Sequence, residues 1–540
     1  MKPVNQSKAL FKGAFILTLS GLITKILSAF YRIPFQNIVG DVGFYIYQQV
    51  YPFYAIAIVL TTTGFPVVIS KLYAERKEKG DNERNKLLLF GSFIYLQLFG
   101  FVCFLILYLG AEKIALWMKD PKLAILLKVV SFVYLTFPLV SILRGFYQGN
   151  GDMVPTALSQ VGEQTVRVLT IILLAFLFTH RGYSLYLVGG GAMFGSITGS
   201  LISALILFTF LRIRKEWKQV SSVKKIAHIP LTELSWIFKE MTFHGLTICI
   251  SGMLMIFIQM ADSLNLYSLL VSSGFGKDMA KNLKGIFDRG QPLIQLGTVA
   301  ATSMSLSLVP LISSGRLKEK PDFLHHKIQV AIKISIVIGL GASAGLWAII
   351  GPTNTMLFEN ENGSSVLGVL GFMILFSSII STLTAIMQGL GNLLFPAICI
   401  AVAFPIKYGL NVVLVPFIGT MGAAISTILT LTVVSLLLGI KFKKIVPIPL
   451  FTVLYLRTVI IATIAMVLFL KSYLFVTDFI ISGLGFERIC AAFQALSAVL
   501  FGSFLFLLIV IKGGVFLAEE LALFPLGSKL IYLLPRKKRS

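Results

Sequence analysis

Lys25 and Arg32 stand seven residues apart in the apolar run LITKILSAFYRIPF. Seven residues are about two helical turns, so both cations lie on one face of a helix. A cation deep in a bilayer costs roughly 2.5–3.5 kcal/mol on insertion scales and persists where it meets a cavity, a counter-ion or a substrate. The chemistry offered is attraction of an anion, not bond making. Pro34, close to Arg32, is expected to kink or end that helix. Further ionisable groups sit inside or at the start of apolar runs: Lys128, Arg144, Glu163, Arg167, Asp262, Asp288, Arg289, Lys333 and Lys407. Glu163 and Arg167 are spaced i, i+4, which suits a structural ion pair on one helix face. Glu163 and Asp262 are the candidates for binding a coupling H⁺ or Na⁺, and Asp262 could instead pair with a cation of the first half. Arg144, Lys128, Lys333 and Lys407 lie nearer span ends and are expected to snorkel.

Nothing points to catalysis. The chain has no Gly-x-Ser-x-Gly, no His-Glu-x-x-His and no Walker Gly-x-x-x-x-Gly-Lys-Ser/Thr, so a non-enzyme without cofactor is expected. Cys103, Cys249, Cys399 and Cys490 form no CxxC or Cys/His cluster, so no metal site or disulfide framework is expected.

The elements that must hold these groups follow from composition. Of 540 residues, 56% are hydrophobic and 13% charged, about half the charge of a soluble domain. The net charge of +24 is spread in short runs between apolar segments, which argues against nucleic acid as a partner. Fourteen candidate helical spans emerge, at about 12–36, 44–70, 87–110, 123–149, 157–178, 185–211, 241–270, 287–313, 328–351, 366–389, 395–417, 421–440, 453–472 and 491–511. With both termini cytoplasmic, Lys and Arg number 30 in cytoplasmic segments and 9 in external ones, the bias expected of a multi-pass protein of the cell membrane.

The chain also repeats itself. YQGNGDMVPTA ends the fourth span and MQGLGNLLFPA the tenth; Gln148 and Gln388 differ by 240 residues, as do Pro52 and Pro292. A weaker echo links VGGGAMFGS with GTMGAAIST. The fold class expected is an all-α integral membrane protein with two parallel six-helix repeats and two extra C-terminal helices. The domains are 1–212, a basic cytoplasmic linker 213–240, 241–445, the extra pair 446–512 and an interfacial basic tail 513–540. Pro34, Pro52, Gly149, Gly151, Pro155, Pro292, Gly389, Gly391 and Pro396 are candidate hinges. The same offset maps Lys25 onto Asn265 and Arg32 onto Ser272, so the frame does not require these cations; they suit an asymmetric anion site on a symmetric scaffold.

With YRIPF, VGDVGFYIYQ, QGNGDMVP, FDRGQPLIQLGTVAATSMSLSLVP, MQGLGNLLFP and GTMGAAIST, the chain resembles the polysaccharide-biosynthesis branch of the multidrug/oligosaccharidyl-lipid/polysaccharide exporter superfamily. Within it, it is most similar to the MurJ-like lipid II flippases and to stage V sporulation protein B-like proteins. The resemblance covers nearly the whole chain. It implies two bundles around a cavity, alternating access, and a lipid-linked saccharide as substrate, with membrane lipid as the other partner. It implies headgroup attraction by Lys25, Arg32 and Arg289, and a lipid-tail groove on spans thirteen and fourteen. Lys25 stands where such flippases carry arginine, and FYAIAIVLTTTGFP lacks their second-span arginine, so the expected saccharide is lipid II-like or another undecaprenyl-linked cell-envelope precursor. A monomer is expected. The alternatives are a cation-coupled multidrug exporter of the same superfamily and a non-transporting cell-wall or sporulation scaffold.

Overall fold

The computed structural model describes residues 3–217, 230–299, 321–447, 453–481, 486–521 and 531–534. Among these, regular structure is helical throughout. The helices of the first stretch are α1 (Pro3–Phe30), α2 (Arg32–Val59), α3 (Phe65–Glu78), α4 (Asn82–Trp117), α5 (Ala124–Ser131), α6 (Val133–Gly149), α7 (Val154–His180) and α8 (Leu185–Ile213). There follow α9 (Leu231–Glu240), α10 (Leu246–Ser251), α11 (Leu254–Ser272) and α12 (Lys277–Asp288). The remainder are α13 (Pro321–Ala348), α14 (Ile350–Phe358), α15 (Ser364–Gly371), α16 (Met373–Gly389), α17 (Leu394–Ile445), α18 (Val453–Ile481), α19 (Glu487–Lys512) and the short α20 (Ala518–Leu521).

Eleven of the described stretches are long and apolar enough to cross a membrane. Two are double: Phe15–Glu78 reverses at Gly40 (φ 68°) and Leu394–Ile445 at Ile418–Gly419 (φ 57° at the glycine). Thirteen of the fourteen expected spans are therefore seen. The eighth, 287–313, lies outside the described residues from 300 on, as do 218–229 of the basic linker and 522–530 and 535–540 of the tail. Large apolar side chains point outward along the spans, among them Ile106, Leu109, Leu169 and Phe504, as lipid contact requires.

Proline chemistry sets the first break. Pro34 has no N–H to give the carbonyl of Phe30, four residues earlier, and α1 ends at Phe30. The chain continues through Tyr31 with helical backbone and reverses only at Gly40, where a side chain would be strained. Below α2, Leu60–Gly64 forms a π-turn.

The 240-residue repeat is written in the backbone. The fourth span breaks at Phe132 and the tenth at Phe372; both end on a left-handed glycine, Gly151 (φ 80°) and Gly391 (φ 88°). The two glycine N–H groups donate to Gln148 and Gln388, each at 2.9 Å.

Contacts divide the chain into one unit of 1–288 with 392–423, and a second of 289–391 with 424–540. In the first, α7 packs on α1 and α8, and α12 on α2. Helix α9, at the C-terminal end of the linker, docks on the first bundle: Arg76 pairs with Glu233 at 2.5 Å and lies over the Trp236 ring. In the second unit, α18 and α19 form a hairpin whose buried Met466, Leu470, Ala498 and Phe506 share one core with Val337 and Ala344 of α13.

One close approach fixes the α2–α12 contact. A methyl at Gly285 would overlap the carbonyl of Asp41, and a backbone atom cannot swing aside as a side-chain end can. Gly285→Ala is expected to cost about 1–3 kcal/mol, read as a lower melting temperature in detergent. Gly276→Ala, with nothing within 4 Å, should melt like the parent protein.

Candidate functional site

The basic face of the first span is extended by a second cation and a set of tyrosines. Arg32 is 2% exposed at the head of α2 and its guanidinium lies 4.5 Å from the centre of the Tyr51 ring. Arg167 of α7 is fully buried beside it. It donates to the Tyr31 and Tyr47 hydroxyls at 3.1 and 3.0 Å and to Gln164 at 3.1 Å, and it stacks 4.3 Å from the Tyr54 ring. The two hydroxyls also bond each other at 2.8 Å. Tyr47, Tyr51 and Tyr54 repeat at i, i+4, i+7, so α2 presents them as one stripe. Each desolvated cation–π contact contributes about 1–2 kcal/mol. Lys25, two turns before Arg32, is only partly buried. The tyrosine shell and Arg167's place in it are absent from the sequence reading; the spacing in YIYQQVYPFY was the available signal.

The Glu163–Arg167 pair does not form. Glu163 pairs instead with Arg144 of α6 at 2.7 Å. Arg144 is fully buried, so it does not snorkel: it also donates to Ser159, to Ser203 and to the carbonyl of Thr61 in the π-turn, all at 2.9–3.0 Å. Arg167 faces α2 from the next turn and, among the described residues, makes no ion pair. Helical spacing licensed a local pair, but a guanidinium on a neighbouring helix reached the carboxylate first.

Asp262 on α11 pairs with Lys407 of α17 at 2.7 Å, and both are buried. Its partner is therefore in the second half of the sequence, and Lys407 is enclosed instead of snorkelling. Asp288 pairs with Lys284 at 2.6 Å on α12. Lys128 keeps an exposed contact with Glu112, and Lys333 reaches the buried carboxylate of Glu520 at 3.6 Å. Arg289 belongs to the second unit. It is buried over the Phe358 ring and donates to Asn360 at 2.8 Å.

The candidate hinges fall in three settings. Pro34, Pro155 and Pro396 lie in first helical turns, Pro52 lies within α2, and Pro292 lies in the helical stretch 290–299. Gly151 and Gly391 occupy left-handed turns. Gly149 and Gly389 end their helices, and Gly149 packs close to the Tyr73 ring. Among the described residues no His, Cys, Asp or Glu cluster suits a metal. A cavity of about 330 Å³ beside the π-turn is lined by apolar groups such as Phe53, Phe99, Cys103 and Cys249, which offers nothing to a phosphate.

The family model for polysaccharide biosynthesis proteins matches residues 10–316. A relative of Bacillus subtilis (strain 168), the uncharacterized membrane protein YabM, is 42% identical over 537 residues, 98% of each chain. The chain belongs to the polysaccharide biosynthesis protein family. Two other relatives from that organism are the lipid II flippase MurJ, 27% identical over 81% of this chain and 83% of that one, and stage V sporulation protein B, 26% identical over 81% and 84%. Among solved structures, a lipid II flippase MurJ in an inward closed conformation matches with a TM-score of 0.67 at 16% identity, covering 92% of this chain and 98% of that one. An inward-facing multidrug resistance MATE transporter matches at 0.61 and 17%, covering 80% and 94%. These likenesses fix the fold. This member of the polysaccharide biosynthesis protein family is a multi-pass membrane protein.

Arg144 generates a stability prediction for such members. Arg144→Gln strands the Glu163 carboxylate in a bundle and should cost about 3–5 kcal/mol. Adding Glu163→Gln should restore much of the melting temperature. Equal melting of the single and double variants would break the link.

Proposed function

We propose that the chain moves an undecaprenyl-pyrophosphate-linked saccharide across the cell membrane by alternating access, with both termini cytoplasmic. The observation that carries this reading is the one-sided basic face of the first span. Lys25 and Arg32 are followed into the fold by Arg167, and the second repeat keeps Asn265 and Ser272 at the matching positions. A pyrophosphate needs fixed positive charge in a low-dielectric setting, where a cation–anion contact is worth far more than in water. A cationic drug needs the opposite. The acidic groups of the first unit named above are already engaged, Glu163 by Arg144 and Asp262 by Lys407. Arg289, on the second unit, is the further headgroup candidate, and the α18–α19 pair is the candidate seat for the lipid tail. Residues 1–212 and 241–445 are the repeats whose relative motion would alternate access.

Contacts of the first repeat with α11 and α12 give this motion a concrete obstacle. Gln49 donates to the carbonyl of Ser263, Lys119 donates to Ser272, and Lys281 bonds the Tyr186 hydroxyl beside Asp120. Asp120 also accepts from Tyr45 and Tyr186. Lys119, Asp120 and Lys281 lie in 113–122 and 277–284, segments that the charge bias puts outside. Opening on that side requires these bonds to part.

Two outcomes test the reading. Lys25→Ala with Arg32→Ala should abolish complementation of a strain lacking its lipid-linked-saccharide flippases while the protein still reaches the membrane; undiminished complementation defeats the anion-site assignment. Alternating access also needs this side to close again, so Asp120→Lys, which removes the bonds that hold it shut, should lower the flipping rate by about tenfold, roughly 1.4 kcal/mol, and the swap Asp120→Lys with Lys281→Asp should recover it. Efflux of cationic dyes by the unaltered protein would favour the multidrug alternative.

A further inference from the structure

The ammonium of Lys407 is held as an alkali ion would be held. Oxygens surround it, among them Asp262 Oδ1 at 2.7 Å, the Ala423 carbonyl at 2.7 Å and Asn411 Oδ1 at 2.9 Å. They come from two sides. Asp262 lies on α11, while Asn411 and Ala423 lie on α17 before and after its break at Ile418–Gly419. The oxygens are themselves fixed. Asn411 turns its Nδ2 to Asp262 Oδ1 at 2.8 Å and to Asn265 Oδ1 at 2.9 Å, and Asn265 Nδ2 donates to the carbonyl of Tyr408 at 3.0 Å. Lys407 and Asn411 are 0% exposed and Asp262 is 2%.

A carboxylate, an amide oxygen and a main-chain carbonyl in a dry setting are the donor set of a hard cation site. Carbonyl oxygens can replace the hydration shell of a monovalent ion. Here one positive charge already sits among those oxygens, attached to the chain by four methylenes. We propose that this cage is a monovalent-cation site whose resident cation is Lys407. The protein at rest then has no vacancy for sodium or potassium there, and any use of Asp262 in transport proceeds through movement of the lysine, not through uptake of an alkali ion at this place. Removing the ammonium and sparing the oxygens converts the cage into a site for the free ion. This inference is independent of the saccharide substrate, because occupancy of the cage is read without it.

The test uses purified full-length protein in detergent. Melting is followed as NaCl or KCl replaces choline chloride at constant ionic strength. The unaltered protein should melt within about 1 °C in all three salts, as expected where no vacant site exists. Lys407→Ala and the better space-filling Lys407→Gln should melt lower in choline and regain about 5 °C or more in sodium, potassium or both; the ion that acts identifies the preferred fit. Adding Asp262→Asn to either should remove that response. Radioactive sodium or rubidium should bind the lysine variants and not the parent. The proposal is overturned if both lysine variants ignore the alkali ion, or fail to fold in all three salts. It is equally overturned if the parent protein itself binds or is stabilised by one of the ions.

Discussion

A charge enclosed in a membrane-spanning bundle must find its counter-dipoles in the chain, because lipid supplies none. That constraint organises the first unit. Arg144 spends its donors on two helices and a π-turn. Arg167 gives its two terminal nitrogens to Gln164 and to tyrosine hydroxyls and lies against tyrosine ring faces. Lys407 is satisfied by oxygens of Asp262, Asn411 and Ala423. Each solution ties helices that are remote in sequence, so the charges that look like liabilities act as the fasteners of the bundle. The π-turn at Leu60–Gly64 illustrates the reciprocity: irregular backbone leaves the Thr61 carbonyl available, and the Arg144 guanidinium takes it.

The two repeats share a frame and divide the chemistry. Breaks at Phe132 and Phe372 and left-handed glycines at 151 and 391 recur at one spacing. The cations do not recur: Lys25, Arg32 and Arg167 gather in the first unit, whereas Arg289 is lodged against asparagines in the second. A symmetric scaffold with a one-sided positive region fits an anionic, asymmetric cargo such as a sugar on a prenyl pyrophosphate.

Helix count, span limits and the duplication were legible because continuous apolar runs and a shared 240-residue offset are local, additive signals. Pairing was not. The i, i+4 rule favoured Glu163 with Arg167, but such a pair contributes only about 0.2–0.5 kcal/mol, less than Glu163 gains from the fully buried Arg144. Position near a span end suggested that Arg144 and Lys407 would snorkel; depth in the bundle overrode it, since α7, α8 and α11 cover them. Asp262 was recognised as important from its rarity alone, yet its partner lies 145 residues further on, and no sequence period reports that distance. The hydroxyl shell of Arg167 could have been anticipated from the i, i+4, i+7 tyrosines of α2.

The central claim, that the first-unit cations serve a lipid-linked pyrophosphate, is tested most directly by reconstitution. Proteoliposomes holding the purified protein and a labelled undecaprenyl-pyrophosphate-linked sugar in one leaflet should transfer the sugar to the other leaflet at least about tenfold faster than empty vesicles, a barrier difference of roughly 1.4 kcal/mol. An undecaprenyl-linked sugar without phosphate should be left behind. Equal movement of the charged and uncharged lipids, or no movement beyond that in empty vesicles, would contradict the account.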